Sequence, residues 1–216
     1  IVSQLGGPVE PTLDCPALEA FGNYYYTIEL VDLVCVIGWV CTNSDLQKEG
    51  NINNISLLGH SRGGGIVTIK AEEDSRIKNV ISLAGVSDFK RRFHLGTQEF
   101  VAWEKAGVKY VENGRTKQQM PHYFQFYKDF HKNEKRLTIE RAVSNLKIPQ
   151  LIIHGDSDTS IYIEEAKNLH KWNSNSKLKI INGANHVFNT SHPWNNDSLP
   201  SELLEAENTI INYIKS

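Results

Sequence analysis

Apolar residues change their spacing several times along this chain, and the changes mark its elements. From Thr27 to Cys41 the aliphatics Ile28, Leu30, Val31, Val34, Ile37 and Val40 recur at roughly helical spacing, which predicts an amphipathic helix capped near Thr27. Ile55–Leu58, "VISLAG" (Val80–Gly85), "PQLIIHG" (Pro149–Gly155) and "KLKIING" (Lys177–Gly183) are short apolar runs with turn residues close by. Such runs predict strands buried on both faces. Helical patterns lie between and after them, at Ile66–Glu73, in "IEEAKNLHKW" from Ile163 and in "SELLEAENTIINYIK" from Ser201. Alternation of this kind predicts an α/β fold, a mostly parallel sheet with helices on both faces.

Phe89–Leu146 breaks the rhythm. It is polar, aromatic-rich ("HYFQFYKDF") and helical in character, and it separates two core strands. An insertion of that size is expected to cap a site or decorate the surface. Tyr123, Phe126, Tyr127 and Phe130 fall at i, i+3, i+4 and i+7, a helical stripe that reads mainly as an anchor to the body. Lining of an acyl or aryl pocket by part of it stays open. The economical organisation is one domain over residues 1–216, with a core of 1–89 and 147–216 and a helical cap inserted at about 90–146.

Composition adds mostly exclusions. The chain has 216 residues, 40% hydrophobic and 22% charged, an ordinary globular make-up. A formal charge of −2 gives no footprint for nucleic acid or an anionic membrane, and "KRRFH" (Lys90–His94) reads as solvated surface. Cys15, Cys35 and Cys41 form neither a CxxC pair nor a zinc spacing, which leans towards a cytoplasmic chain without metal. The apolar stretch Leu30–Cys41 contains Asp32 and is too short to span a bilayer, and no signal-peptide pattern opens the chain. "IVSQLGG" at Ile1 reads like the end of a buried strand, so a missing or processed N-terminal portion is expected.

The chemistry concentrates in "ISLLGHSRGGGIVTIKA", Ile55–Ala71. A strand runs into Gly-His-Ser-Arg-Gly and on into a helix. A nucleophilic serine needs its hydroxyl held clear of the backbone at the mouth of a sheet, and a strained strand-to-helix turn does this. Gly59 and Gly63 are expected to let the turn close, and Gly64 and Gly65 to let helix and strand pack tightly. The Arg62 backbone N–H, at the helix start, suits a developing oxyanion. The side chains of His60 and Arg62 are not expected to act as the base.

Two later loops supply partners for Ser61. "LIIHGDSDTSI" (Leu151–Ile161) takes a strand into a loop with Asp156 and Asp158. Its D-x-D-x-S start lacks the rest of a calcium pattern, and Asp156 reads as a cap for the following helix. "INGANHVFN" (Ile181–Asn189) ends a strand at Gly183 and places His186 in the loop beyond. His154 reads as a packed residue, while His122, His131 and His170 fall on polar helical stretches and read as exposed. The order Ser61, acid, His186 is the one expected of a nucleophile-elbow fold.

With "GHSRGG", "LIIHGDSD" and "GANHVF" in that order, the chain resembles the α/β-hydrolase superfamily. The likeness runs from about Glu19 to the C-terminus and is nearest to small bacterial serine hydrolases related to dienelactone hydrolases, cinnamoyl esterases and peptidase-like acyl hydrolases. The resemblance implies a G-x-x-D acid, which selects Asp158 over Asp156. Dienelactone hydrolases proper carry cysteine in the elbow, and Ser61 here disfavours that lactone chemistry. It also implies a cap at Asn113–Phe130 and a second oxyanion donor from a loop after an early strand. The N-terminal strands and that loop are expected to be absent, and Gly6 and Gly7 are not assigned as the donor. The chain is then a fragment, or its sheet edge is completed by rearrangement or by a partner subunit, as in a homo-oligomer.

The function implied is a serine hydrolase cleaving carboxylic esters through an acyl-enzyme, with Ser61, Asp158 and His186 as the triad, Arg62 N–H at the oxyanion, and no metal or organic cofactor. A serine peptidase of the same superfamily and a non-catalytic binding protein on a truncated hydrolase fold are the alternatives.

Overall fold

The computed structural model describes residues 15, 17–113, 116–191 and 193–216. In chain order the elements begin with α1 (Leu18–Gly22), α2 (Tyr26–Thr42), α3 (Ser44–Glu49), β1 (Ile55–His60), α4 (Arg62–Glu73) and β2 (Ile77–Leu83). There follow α5 (Gln98–Ala106), β3 (Val108–Glu112), β4 (Gln119–Tyr123), α6 (Gln125–Lys132), α7 (Glu134–Leu137) and α8 (Ile139–Asn145). The chain ends with β5 (Gln150–Gly155), α9 (Ile163–Trp172), β6 (Lys177–Ile181) and α10 (Ser201–Lys215). They fall into two compact units: Val40–Phe89 with Thr138–Ser216, and the described residues up to Trp39 with Lys90–Leu137.

The first unit is built on a parallel sheet of order β1-β2-β5-β6. The registers His60↔Leu83, Leu83↔Ile153 and Gly155↔Ile181 bring the carboxyl ends of all four strands to one edge. Among the described residues β1 pairs with β2 alone. β5 is buried along its whole length, which is why "QLIIHG" shows no polar alternation. Side chains alternate between the faces: Ile81, Leu151 and Ile153 pack with Ala206 and Tyr213 of α10, whereas Ser82 faces α4 at Gly64. α4 is buried continuously from Gly64 to Ala71, so it lies inside the unit and has no solvent stripe there. Helices therefore cover both faces, as the sequence pattern predicts.

The second unit is held together by aromatic rings. Phe93 lies against Tyr26, Trp103, Phe126, Tyr127 and Phe130, with ring centroids 4.9–6.3 Å apart. Here the structure corrects two details of the sequence reading. The insertion is not wholly helical, because β3 and β4 pair as an antiparallel hairpin with Val108 opposite Tyr123. Tyr123 and His122 thus belong to a strand, and only Phe126, Tyr127 and Phe130 of the stripe lie on α6. The hairpin follows Gly107, whose φ of 75° ends α5 in the left-handed region that glycine tolerates best.

The start of α2 differs as well. Thr27 lies inside the helix, and its N–H and hydroxyl both donate to the Asp129 carboxylate, at 3.3 and 2.6 Å. The cap comes from α6, far along the chain. Of the aliphatics on α2, Leu30 and Ile37 are buried, while Val31 and Val34 are exposed. No helix among the described residues is long and apolar enough to cross a membrane.

Candidate active site

Ser61 sits between the end of β1 and the start of α4 with φ 56° and ψ −122°. A non-glycine residue there stores about 1–3 kcal/mol of strain, which surrounding contacts must hold in place. Two of those contacts are backbone bonds to β2 and the loop after it: Ser61 N–H donates to Leu83 C=O at 3.0 Å, and Val86 N–H donates to Ser61 C=O at 3.2 Å. Gly59 makes the turn possible, since a Cβ there would stand 2.2 Å from the Gly63 carbonyl oxygen. Gly63 differs from expectation: a Cβ at that position would meet nothing within 4 Å, so its contribution is the carbonyl that closes on Gly59.

The three residues named from sequence meet at the carboxyl edge of the sheet. His186 Nε2 lies 3.1 Å from Ser61 Oγ, and His186 Nδ1 lies 2.7 Å from Asp158 Oδ2. A carboxylate only accepts, so Nδ1 carries the proton and Nε2 is left to accept from the serine hydroxyl. Arg62 is the first residue of α4, which puts its backbone N–H at the helix N-terminus beside Ser61.

Asp158 is buried, at 4% exposure, and is well supplied with donors. Its Oδ1 accepts from Ser160 N–H at 2.8 Å and Ile161 N–H at 2.9 Å. Burial pushes its carboxyl up, but the bonds from Ile161, His186 and Ser160 outweigh this and hold it below the ordinary carboxyl range. His154 is packed beneath, fully buried, with Nε2 donating to Ile161 C=O at 2.7 Å and standing 3.5 Å from Asp158 Oδ2.

Asp156 does something other than cap a helix. Its carboxylate accepts from Gly183 N–H at 2.7 Å, tying the acid loop to the histidine loop. Asp156 N–H to Ile181 C=O (3.2 Å) and Ser157 N–H to Ala184 C=O (3.0 Å) continue that seam. Gly155 permits it, because a Cβ there would stand 2.1 Å from the Ala184 carbonyl oxygen.

The histidine loop has its own clasp, which the sequence reading missed. Asn185 Oδ1 accepts from Val187 and Asn189 N–H, and Asn189 Oδ1 accepts from Asn185 N–H, at 2.9–3.1 Å. Phe188, 1% exposed, anchors the loop in the sheet unit's core. His60 was also missed, and it bonds the His186 main chain. Among the other described histidines, His170 bonds Ser176 in the sheet unit, and in the second unit His122 packs against Phe21 and His131 lies on α6. Gly6, Gly7 and His192 lie outside the described residues.

A serine on a strained strand-to-helix turn, with a histidine and a carboxylate from later strand ends, defines the α/β-hydrolase class. Within it the chain belongs to the prolyl oligopeptidase family, whose sequence profile matches residues 26–198. No curated protein sequence matches it significantly. Among solved structures it is similar to Est1E from Butyrivibrio proteoclasticus, with TM-score 0.65 and 19% identity over 88% of this chain and 71% of that one. It is also similar to the Paleococcus ferrophilus monoacylglycerol lipase, with TM-score 0.60 and 16% identity over 89% and 76% of the two chains. A puromycin-hydrolyzing peptidase of Mycobacterium tuberculosis gives TM-score 0.52 and 14% identity over 79% of this chain and 23% of that one. The chain is a hydrolase by family, on a fold that it shares with these structures.

Proposed function

We propose that the chain cleaves carboxylic esters through an acyl-enzyme on Ser61. The observation that carries this reading is the Ser61–His186–Asp158 relay, with contacts of 3.1 and 2.7 Å. His186 Nε2 takes the serine proton as Oγ forms its bond to the ester carbonyl carbon. The Arg62 backbone N–H faces the oxyanion at the helix N-terminus, where the aligned peptide dipoles favour negative charge. His186 then returns the proton to the departing alkoxide as the carbon–oxygen bond breaks. In the second half water attacks the acyl group and gives a proton to His186, which passes it to Ser61 Oγ as the acyl bond breaks and the acid leaves. Asp158 keeps Nδ1 protonated throughout and balances the imidazolium.

Esters are favoured as substrates by the neighbours in fold. One is a monoacylglycerol lipase, and Est1E has been solved with ferulic acid, an aryl-substituted carboxylic acid. Short acyl or aryl esters are therefore the first substrates to offer. Family membership favours a second reading, cleavage of peptide bonds by the same residues.

The test is hydrolysis of p-nitrophenyl acetate and of an aminoacyl p-nitroanilide by the parent chain and by Ser61→Ala. Ester turnover that falls by a factor on the order of 10⁴ or more in Ser61→Ala supports the proposal. Equal rates in parent and variant would sink it, and Ser61-dependent turnover of the anilide alone would replace it with the peptidase.

A further inference from the structure

His60 ends β1 directly before Ser61, yet its side chain reaches across to the loop that carries His186. Its Nε2 lies 2.8 Å from the His186 carbonyl oxygen, and because a carbonyl only accepts, this nitrogen bears the proton and donates. The two imidazole rings also pack together, with centroids 4.7 Å apart and planes inclined by 41°. No other side-chain contact described joins the elbow strand to the His186 main chain.

We infer that His60 is a positioning residue, fixing the His186 peptide from one side and the His186 ring from the other so that Nε2 faces Ser61. The inference rests on the acyl-enzyme reading, and it goes further by assigning work to the residue before the serine. The geometry explains why a hydrogen-bond donor is needed there. Rotation about the His186 backbone would swing Nε2 away from Oγ, and the bond to the carbonyl opposes that rotation. Asp158 holds the ring at Nδ1, and the His60 bond adds a hold on the His186 main chain.

Charge is consistent with this placement. The titratable groups close to His60 are His186, Asp158 and His154. Desolvation keeps the His60 imidazole below the ordinary histidine value, although the bond to the His186 carbonyl pulls the other way. A neutral His60 keeps its donor and does not repel the imidazolium that forms on His186 during acyl transfer.

The experiment compares His60→Phe, which keeps the ring but loses the donor, with His60→Gln, whose amide places a donor at a similar reach. Three quantities are read: kcat and KM for p-nitrophenyl acetate, thermal unfolding, and amide hydrogen exchange over 183–189. The expected result for His60→Phe is a kcat lower by about tenfold, the size of one lost hydrogen bond, with KM unchanged and faster exchange in the loop. His60→Gln is expected to restore both kcat and protection. Parental kcat and exchange in His60→Phe overturn the inference, as does a His60→Gln that fails as badly as His60→Phe. If the parent has no Ser61-dependent turnover, the catalytic reading falls, and loop exchange in the two variants still decides whether His60 holds His186.

Discussion

Around His186 nearly every constraint is a hydrogen bond with a direction. Its ring is held at both nitrogens, its carbonyl by His60, its loop by Asn185 and Asn189, and the loop's root by Asp156. In the second unit the main constraint is contact between rings, with Phe93 touching five aromatic neighbours at varied angles. Ring packing sets volume and tolerates small shifts, whereas a proton relay fails when one atom moves by about an ångström. The two regions should therefore respond to substitution in opposite ways, one through rate and the other through stability.

The largest effect is expected at Asp158. Asp158→Asn preserves shape but presents the wrong partner to Nδ1, and ester kcat should fall by roughly 10⁴, while the unfolding midpoint at neutral pH drops only by what the charged carboxylate contributes. Steady-state kinetics beside thermal unfolding will show whether rate and stability separate there. Trp103→Ala tests the other region. Trp103 is 3% exposed, stacks on Phe93 and donates to the His122 carbonyl at 2.7 Å. Its removal should cost about 3–5 kcal/mol in urea unfolding. Asp156→Ala should act between these extremes: the exposed bond to Gly183 N–H is lost at about 1 kcal/mol, while the rate falls far less than in Asp158→Asn.

A smaller effect appears in acid. The Asp158 carboxyl is depressed in the folded chain, so the stability it contributes is whole above the ordinary value of 3.8 and is lost as pH falls through the folded value. Unfolding midpoints measured from neutral pH downward should fall less steeply below about pH 4 in Asp158→Asn than in the parent. Equal slopes would mean that the donors around Asp158 do not favour its charged form.

The same contrast explains what could be read from the sequence. Ser61 and His186 were legible because each follows a short apolar strand and their order matches the nucleophile-elbow pattern, whereas Asp158 was separated from Asp156 only by the family resemblance. The parallel sheet was legible for a related reason: buried strands leave continuous apolar runs such as "QLIIHG". The clasp at Asn185 and Asn189, the seam through Asp156 and the reach of His60 depend on loops that meet only after the sheet forms. Asp129 capping α2 is hidden likewise, since its partner Thr27 lies on a different element. The hairpin was not legible, because Tyr123 falls at helical spacing with Phe126, Tyr127 and Phe130 and so reads as part of a helix.

All of this rests on Ser61 being a nucleophile made reactive by His186. Its most direct test is mass spectrometry of the chain after exposure to a fluorophosphonate, with the modified residue located by peptide mapping. One stoichiometric phosphonyl group is expected on Ser61, formed quickly in the parent, much more slowly in His186→Ala, and absent in Ser61→Ala. A parent chain that stays unmodified, or labels equally with and without His186, would contradict it.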